Sequence, residues 1–188
     1  MNQILKDAIE DNPIIVAIKD DDCLQKCKSS ESRIVFILYG DILNIADIVQ
    51  QVKDAGKMAF VHIDLIQGLH SNEIAVDFIK QHTKADGIIS TKAPLIVRAR
   101  ELGLYTVMRF FMIDSMAFSN MERQIRNAKP DVIEVLPALM PKMIRKICAV
   151  TTHPVIAGGL VSDKEDVMGC LEAGASCISS TNAGVWFL

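Results

Sequence analysis

Val155-Ile156-Ala157-Gly158-Gly159-Leu160 and Gly174-Ala175-Ser176-Cys177-Ile178-Ser179-Ser180-Thr181-Asn182 are the two stretches on which the fold turns. Each is a short apolar strand that stops at small residues, Gly-Gly in the first and Ser-Ser-Thr in the second. Glycine lacks a Cβ and lets backbone N–H groups approach a ligand closely, while Ser and Thr hydroxyls add donors. In (β/α)8 barrels the loops after strands seven and eight, with the N-terminus of a short extra helix, often build a phosphate site. The two strand ends therefore predict a small phosphate ester held by Gly158, Gly159, Ser180 and Thr181.

Six more apolar, β-branched segments precede these two, so the strands are expected at 14–18, 34–38, 58–63, 87–90, 106–110, 132–136, 155–157 and 177–179. Helical patterns fall between them near 20–27, 44–55, 71–82, 93–102, 115–128, 141–150 and 163–173. Ile45, Ile48, Val49 and Val52 repeat at i, i+3, i+4 and i+7, the stripe of one buried helix face. Gly56, Gly103 and Gly174 follow helical segments where a left-handed cap is wanted, and Asp114-Ser115 and Ser162-Asp163 look like helix starts. Strict alternation of strand and helix means a parallel sheet covered on its faces. An open doubly wound sheet is the alternative, but closure places both Gly/Ser-rich strand ends where a phosphate site belongs. The expected architecture is α/β: a single compact TIM-like (β/α)8 barrel over residues 1–188 with a truncated last helix, since only 182–188 follow the eighth strand.

Composition bounds the function. Half of the 188 residues are apolar, enough for one large core, and the charged fraction of 23% is ordinary for a folded chain. No apolar run approaches the roughly 20 residues of a membrane helix. Residues 1–11 are polar and acidic, without the basic and apolar regions of a signal peptide. Five cysteines without a repeated spacing read as reduced thiols, so a cytoplasmic protein is expected. Cys23 and Cys27 could share a helix face, but no second pair lies nearby to complete a zinc site. The net charge of −3 argues against a generally basic nucleic-acid binder, yet residues 92–146 carry ten Lys/Arg against five Asp/Glu. That basic middle sector fits an anionic partner surface, and solvated helix faces would produce it too.

In a barrel the strand ends share one mouth. Here they carry His62, Asp64, Lys92, Arg109 and Glu134. His62 and Asp64 are two residues apart and would share one side of a strand. Asp64 and Glu134 could accept hydrogen bonds from ligand hydroxyls, with Lys92 and Arg109 balancing a phosphate. The same residues also fit a plainer account: a packing histidine, and the ion pairs Asp64–Lys92 and Glu134–Arg109, which are weak evidence of function. No sequence-local spacing supports a metal site or a catalytic constellation.

These segments resemble the glycerol-uptake operon antiterminator family, glycerol 3-phosphate-responsive regulators of bacterial transcription. The resemblance rests on Phe36-Ile37-Leu38-Tyr39-Gly40-Asp41-Ile42, His62-Ile63-Asp64-Leu65-Ile66-Gln67-Gly68-Leu69, Asp86-Gly87-Ile88-Ile89-Ser90-Thr91-Lys92, Arg109-Phe110-Phe111-Met112-Ile113-Asp114-Ser115, Pro130-Asp131-Val132-Ile133-Glu134-Val135-Leu136-Pro137, Ile156-Ala157-Gly158-Gly159-Leu160 and the run ending in Trp186. Two positions depart from the family pattern: Ser179-Ser180-Thr181 stands for a Ser-Thr-Ser run, and Ala138 for a glycine after Leu-Pro. The resemblance implies a barrel that takes glycerol 3-phosphate as effector, needs no other cofactor, and acts on leader mRNA so that transcription passes a terminator.

On that basis the basic sector offers RNA contacts at Arg98 and Arg100, at Arg123, Arg126 and Lys129, and at Lys142, Arg145 and Lys146, on three adjacent helices. Against it, aromatics are only 5% of the chain and no RNA-clamping signature is present. The effector would order loops at the mouth or promote a homo-oligomer whose combined basic surface grips RNA. Two other classes remain: a phosphate-binding barrel enzyme of isomerase, epimerase or aldolase type, with Lys92 as Schiff base and Asp64 or Glu134 as base, and a metabolite sensor with protein partners only.

Overall fold

A computed structural model describes residues 3–188, so of the N-terminal segment Met1 and Asn2 lie outside the described residues. Eight parallel strands pair in sequence order and close, β8 against β1. They are β1 (Ile14–Ile18), β2 (Ile34–Ile37), β3 (Met58–His62), β4 (Gly87–Ser90), β5 (Tyr105–Phe111), β6 (Val132–Leu136), β7 (Val155–Gly158) and β8 (Cys177–Ser180). The outer ring is α2 (Asp21–Cys27), α3 (Ile45–Asp54), α4 (Glu73–His82), α5 (Ala93–Glu101), α6 (Ser115–Ala128), α7 (Pro141–Val150) and α8 (Lys164–Glu172). No helix follows β8; the chain ends in turns that bury Val185 and Trp186. This is the expected TIM-like barrel with its last helix cut short. None of the helices is long and apolar enough to cross a membrane, among the described residues.

The local signals explain the edges of these elements. Gly56, Gly103 and Gly174 take positive φ of 74°, 71° and 104°, the left-handed conformation that ends a helix. Asp114 and Asp163 each accept a hydrogen bond from a first-turn N–H, those of Ala117 and Asp166. Strand ends differ from expectation by one residue, and one difference matters. β3 stops at His62, and a single 3-10 turn over Ile63–Leu65 carries Asp64.

A helix not expected from the sequence, α1 (Gln3–Asp11), precedes β1. Its Leu5, Ala8 and Ile9 sit at i, i+3 and i+4 and are buried in one cluster with Ile15, Ile34, Phe36, Phe60, Val132, Ile156 and Cys177 from the barrel interior. The Cys177 thiol, at the start of β8, points to the Ile9 carbonyl. α1 thus plugs the end of the barrel opposite the strand C-termini. Burying Leu5 alone is worth about 2 kcal/mol.

Inside, large and small residues alternate. The Phe36 and Phe60 rings lie 5.9 Å apart. Gly87 leaves the room they need, since a Cβ there would stand 2.5 Å from both the Phe60 ring and the Tyr105 carbonyl. The filled interior leaves one end of the barrel open to ligands: the mouth formed by the strand C-termini.

Candidate ligand site at the barrel mouth

A cavity of about 300 Å³ opens at the mouth. Ala17, Leu38, Leu136, Leu160 and Val161 supply apolar walls, and Arg109, Glu134, Gly159, Ser179, Ser180 and Thr181 supply polar groups. The ends of β7 and β8 therefore lie side by side at one cavity, as their shared register requires.

Four residues were expected to hold a phosphate, and they play different parts. Gly158 faces inward, where an added Cβ would collide with Ser179 Oγ and stand 2.8 Å from Glu134 Oε1. It makes room for a polar cluster. Gly159 turns the chain away from the strand with φ +79°, and Leu160 follows at φ +67°, a rare conformation for a side chain of that size. The Gly159 carbonyl accepts from the Ala138 N–H, whereas the N–H groups of Gly159, Leu160 and Thr181 make no backbone hydrogen bond outside the sheet. The Ser180 hydroxyl is engaged: it donates to the Val161 carbonyl (3.1 Å) and accepts from the Asn182 N–H (3.1 Å). At this rim the Ser180 hydroxyl is committed to the protein's own groups, while Thr181 is exposed.

Below the rim lies a closed charge cluster. Arg109 Nε donates to Glu134 Oε2 at 2.6 Å, and Ser179 Oγ donates to Glu134 Oε1 at 2.6 Å. Glu134 has no exposed surface. Beside it, Asp64 accepts from Ser90 Oγ (3.1 Å), the Thr91 N–H (2.8 Å) and Thr91 Oγ1 (3.2 Å), with Lys92 Nζ at 4.0 Å. Both ion pairs read from the sequence are present. His62 and Asp64 come within 4.0 Å, but through the 3-10 turn after β3 and not by sharing a strand face.

His62 is the unusual member. It is 3% exposed, and its Nδ1 is buried without a hydrogen-bond partner, the one such side-chain atom among the described residues. Burial, and then the positive charge of Arg109, push its pKa down to about 4, so the imidazole is neutral at physiological pH. A neutral, desolvated imidazole can donate or accept one hydrogen bond without bringing charge into the mouth. Among the described residues, no three His, Cys, Asp or Glu side chains converge as metal ligands.

A family model described as "Glycerol-3-phosphate responsive antiterminator" matches residues 14–186. The chain belongs to this antiterminator family. It is 43% identical over 180 residues to the Escherichia coli (strain K12) protein YgcP, described as uncharacterized, covering 96% of this chain and 94% of that one. The crystal structure of a glycerol uptake operon antiterminator regulatory protein from Listeria monocytogenes superposes with a TM-score of 0.89 at 31% identity, covering 92% of this chain and 94% of the other. A glycerol uptake operon antiterminator-related protein from Thermotoga maritima gives 0.82 at 38% identity, over 93% and 98%.

In this antiterminator-family barrel the eight basic residues expected to contact RNA are not equivalent. Arg98 is half-buried and held by Asp77 (2.6 and 3.2 Å) and Glu101 (2.9 Å). Arg100 Nη1 donates to the Ala128 carbonyl at the end of α6 (3.1 Å). Arg126 lies 3.9 Å from Glu122, Arg123 donates to Asn120, and Lys146 stacks over the Phe118 ring at 4.4 Å. Lys129, Lys142 and Arg145 are exposed and have no carboxylate partner among the described residues. The cations with charge to spare are on α6 and α7, and the α5 pair is committed to the protein itself.

Functional groups the sequence did not reveal are the apolar walls and Trp186. The Trp186 indole N–H donates to the Ser180 carbonyl at 2.7 Å and so fixes the β8 side of the rim from the chain end. In the sequence it closes the last run of the family resemblance, a lone tryptophan six residues beyond a serine-rich strand end, with nothing to show that it bonds that strand end.

Proposed function

We propose that the protein is a cytoplasmic antiterminator that takes glycerol 3-phosphate into the barrel mouth and, so loaded, binds leader mRNA along the outer faces of α6 and α7. The observation that carries this is the match of residues 14–186 to a family defined by response to that phosphate ester. The mouth geometry supports it: about 300 Å³ is at the small end of ligand cavities, which suits a three-carbon ester better than a nucleotide. The phosphoryl group would lie against the N–H groups of Gly159, Leu160 and Thr181, and the glycerol end would face His62 and Arg109. Enzymatic chemistry has less to work with, because Asp64 and Glu134 are each held by several donors and Lys92 stands exposed beside Asp64.

An effector shifts an equilibrium only by binding one state better than the other. Trp186 is the sole tryptophan and touches Ser180, so its fluorescence reports the mouth directly. Titration with glycerol 3-phosphate should change that fluorescence saturably, and inorganic phosphate or glycerol should act only far more weakly. In a gel shift at fixed salt, the same ester should tighten leader-RNA binding. Saturable effector binding with unchanged RNA affinity would refute the coupling, and no response at Trp186 or by calorimetry would refute the mouth assignment.

A further inference from the structure

The mouth is bordered on one side by an apolar surface that the ligand site does not use. Ile74, in the first turn of α4, is 68% exposed and forms the ridge between two clefts. The larger, about 600 Å³, lies between the starts of α4 and α5 and is lined by Ile74, Pro94 and Leu95, with Glu73 and Lys92 among its polar residues. The smaller, about 250 Å³, is lined by Ile42, Leu69, Ala75 and Phe78 on the other flank of the same ridge. Leu43, 89% exposed, and Leu65 extend the apolar surface from the neighbouring loops. Exposed apolar side chains grouped around clefts mark a protein contact more often than a nucleic-acid one.

The patch is built rigidly. The loop after β2 and the loop after β3 are joined by backbone hydrogen bonds, Ile42 N–H to the Gln67 carbonyl (2.9 Å) and Gln67 N–H to the Gly40 carbonyl (3.0 Å). Ile42 in turn packs where Gly68 leaves space, 3.0 Å from the position its Cβ would take. A preformed surface loses little conformational entropy when it is covered.

We infer that this surface is the interface of a twofold homodimer, with each copy's Ile74 seated in the other's cleft between α4 and α5. A twofold contact must be self-complementary, so that the patch meets its own image. This patch carries an exposed isoleucine beside an apolar-lined cleft of about 600 Å³, with room for that side chain and its neighbours. It also carries an acid, Glu73, and a half-exposed base, Lys92, around the same cleft, charges that a twofold contact can set against each other. RNA would find Glu73 and a hydrophobic ridge where it needs cations, and the basic faces of α6 and α7 remain open in the dimer.

The test is the mass of the full chain in solution, and it does not depend on effector or RNA binding. Sedimentation equilibrium should give twice the 20.7 kDa monomer at tens of micromolar protein. Ile74→Glu, an exposed position whose change leaves the fold intact by melting temperature, should weaken the dimer by about tenfold or more. Ile74→Leu should retain it. A wild-type monomer overturns the proposal, as does a dimer indifferent to Ile74→Glu. Protection of Ile74 by added leader RNA or by another protein on a monomeric chain also overturns it.

Discussion

Substituting Gly158 by alanine tests whether this glycine serves the buried cluster or the ligand. The added methyl collides with Ser179 Oγ and comes within 2.8 Å of Glu134 Oε1. Ser179 must swing away, which breaks its 2.6 Å bond to a fully buried carboxylate, or β7 must move outward. A hydrogen bond to a charged group contributes about 1.5–3 kcal/mol, and overpacking a dense core costs about 1–3 kcal/mol. Stiffening the unfolded chain returns about 0.4–1 kcal/mol. The net expectation is a loss of about 2–4 kcal/mol. For a domain of this size that lowers the melting temperature by roughly 5–15 °C. Urea denaturation with linear extrapolation measures it, with the slope unchanged if the compactness of both states is unchanged. The decisive comparison is a double-mutant cycle with Ser179→Ala. Without the hydroxyl there is less to collide with and no bond left to break, so Gly158→Ala should cost about 1 kcal/mol less in that background. Additivity within about 0.5 kcal/mol, or a Gly158→Ala protein as stable as wild type that has merely lost effector binding, would refute the packing role.

Three other outcomes follow from the same geometry. His62 has a folded pKa of about 4 against an ordinary 6.5, so as the pH drops between those values the unfolded chain gains a proton that the folded one refuses. Stability is therefore intact above pH 6.5 and falls below it by up to about 3 kcal/mol; His62→Gln should remove that portion of the pH dependence, and an imidazole titrating near 6.5 by NMR would contradict it. For RNA, Lys129→Ala or Lys142→Ala should flatten the dependence of log K on log salt by about 0.7 per contact, while Arg98→Ala should leave it unchanged; equal effects at all three would undo the assignment to α6 and α7. Leu5→Ala should destabilise the barrel by about 2–4 kcal/mol, measured by denaturant, if α1 is a true plug; a loss below about 0.5 kcal/mol would mean the helix is only loosely docked.

The barrel was legible because closure leaves every strand buried on both faces, which writes eight short β-branched runs into the chain at regular intervals. Helix ends were legible for a similar reason, since an aspartate cap or a left-handed glycine satisfies a local need. α1 was harder. Its stripe of Leu5, Ala8 and Ile9 is only three residues in a short segment whose other positions include Lys6, Asp7, Glu10 and Asp11, and the polar composition hides it. The α5 arginines illustrate a different limit. Arg98 looks as free in sequence as Lys142, and only the docking of α4 beside α5 brings Asp77, twenty-one positions earlier, to its guanidinium. Gly158 and Gly159 are adjacent and identical in type, yet one is fixed by what an added Cβ would strike and the other by a positive φ, and neither constraint is visible along the chain.

The arrangement at the mouth suggests how a small anion could move a structure this well packed. Each cation beside the cavity already has a carboxylate partner: Arg109 has Glu134 at 2.6 Å, and Lys92 has Asp64 at 4.0 Å. A phosphate entering here finds no free positive charge. On the proposed reading it would be met either by main-chain N–H groups at the rim or by an Arg109 drawn partly away from Glu134. In the second case Glu134 would retain Ser179 as a donor but lose its Arg109 partner while fully buried, a costly state unless something else adjusts. His62 feels the charge of Arg109 and keeps an unsatisfied Nδ1, so it is a group able to change its hydrogen bonding without changing its charge. An effector that bound better to a form with Arg109 drawn from Glu134 would shift the protein toward that form, by no more than the difference in its two affinities.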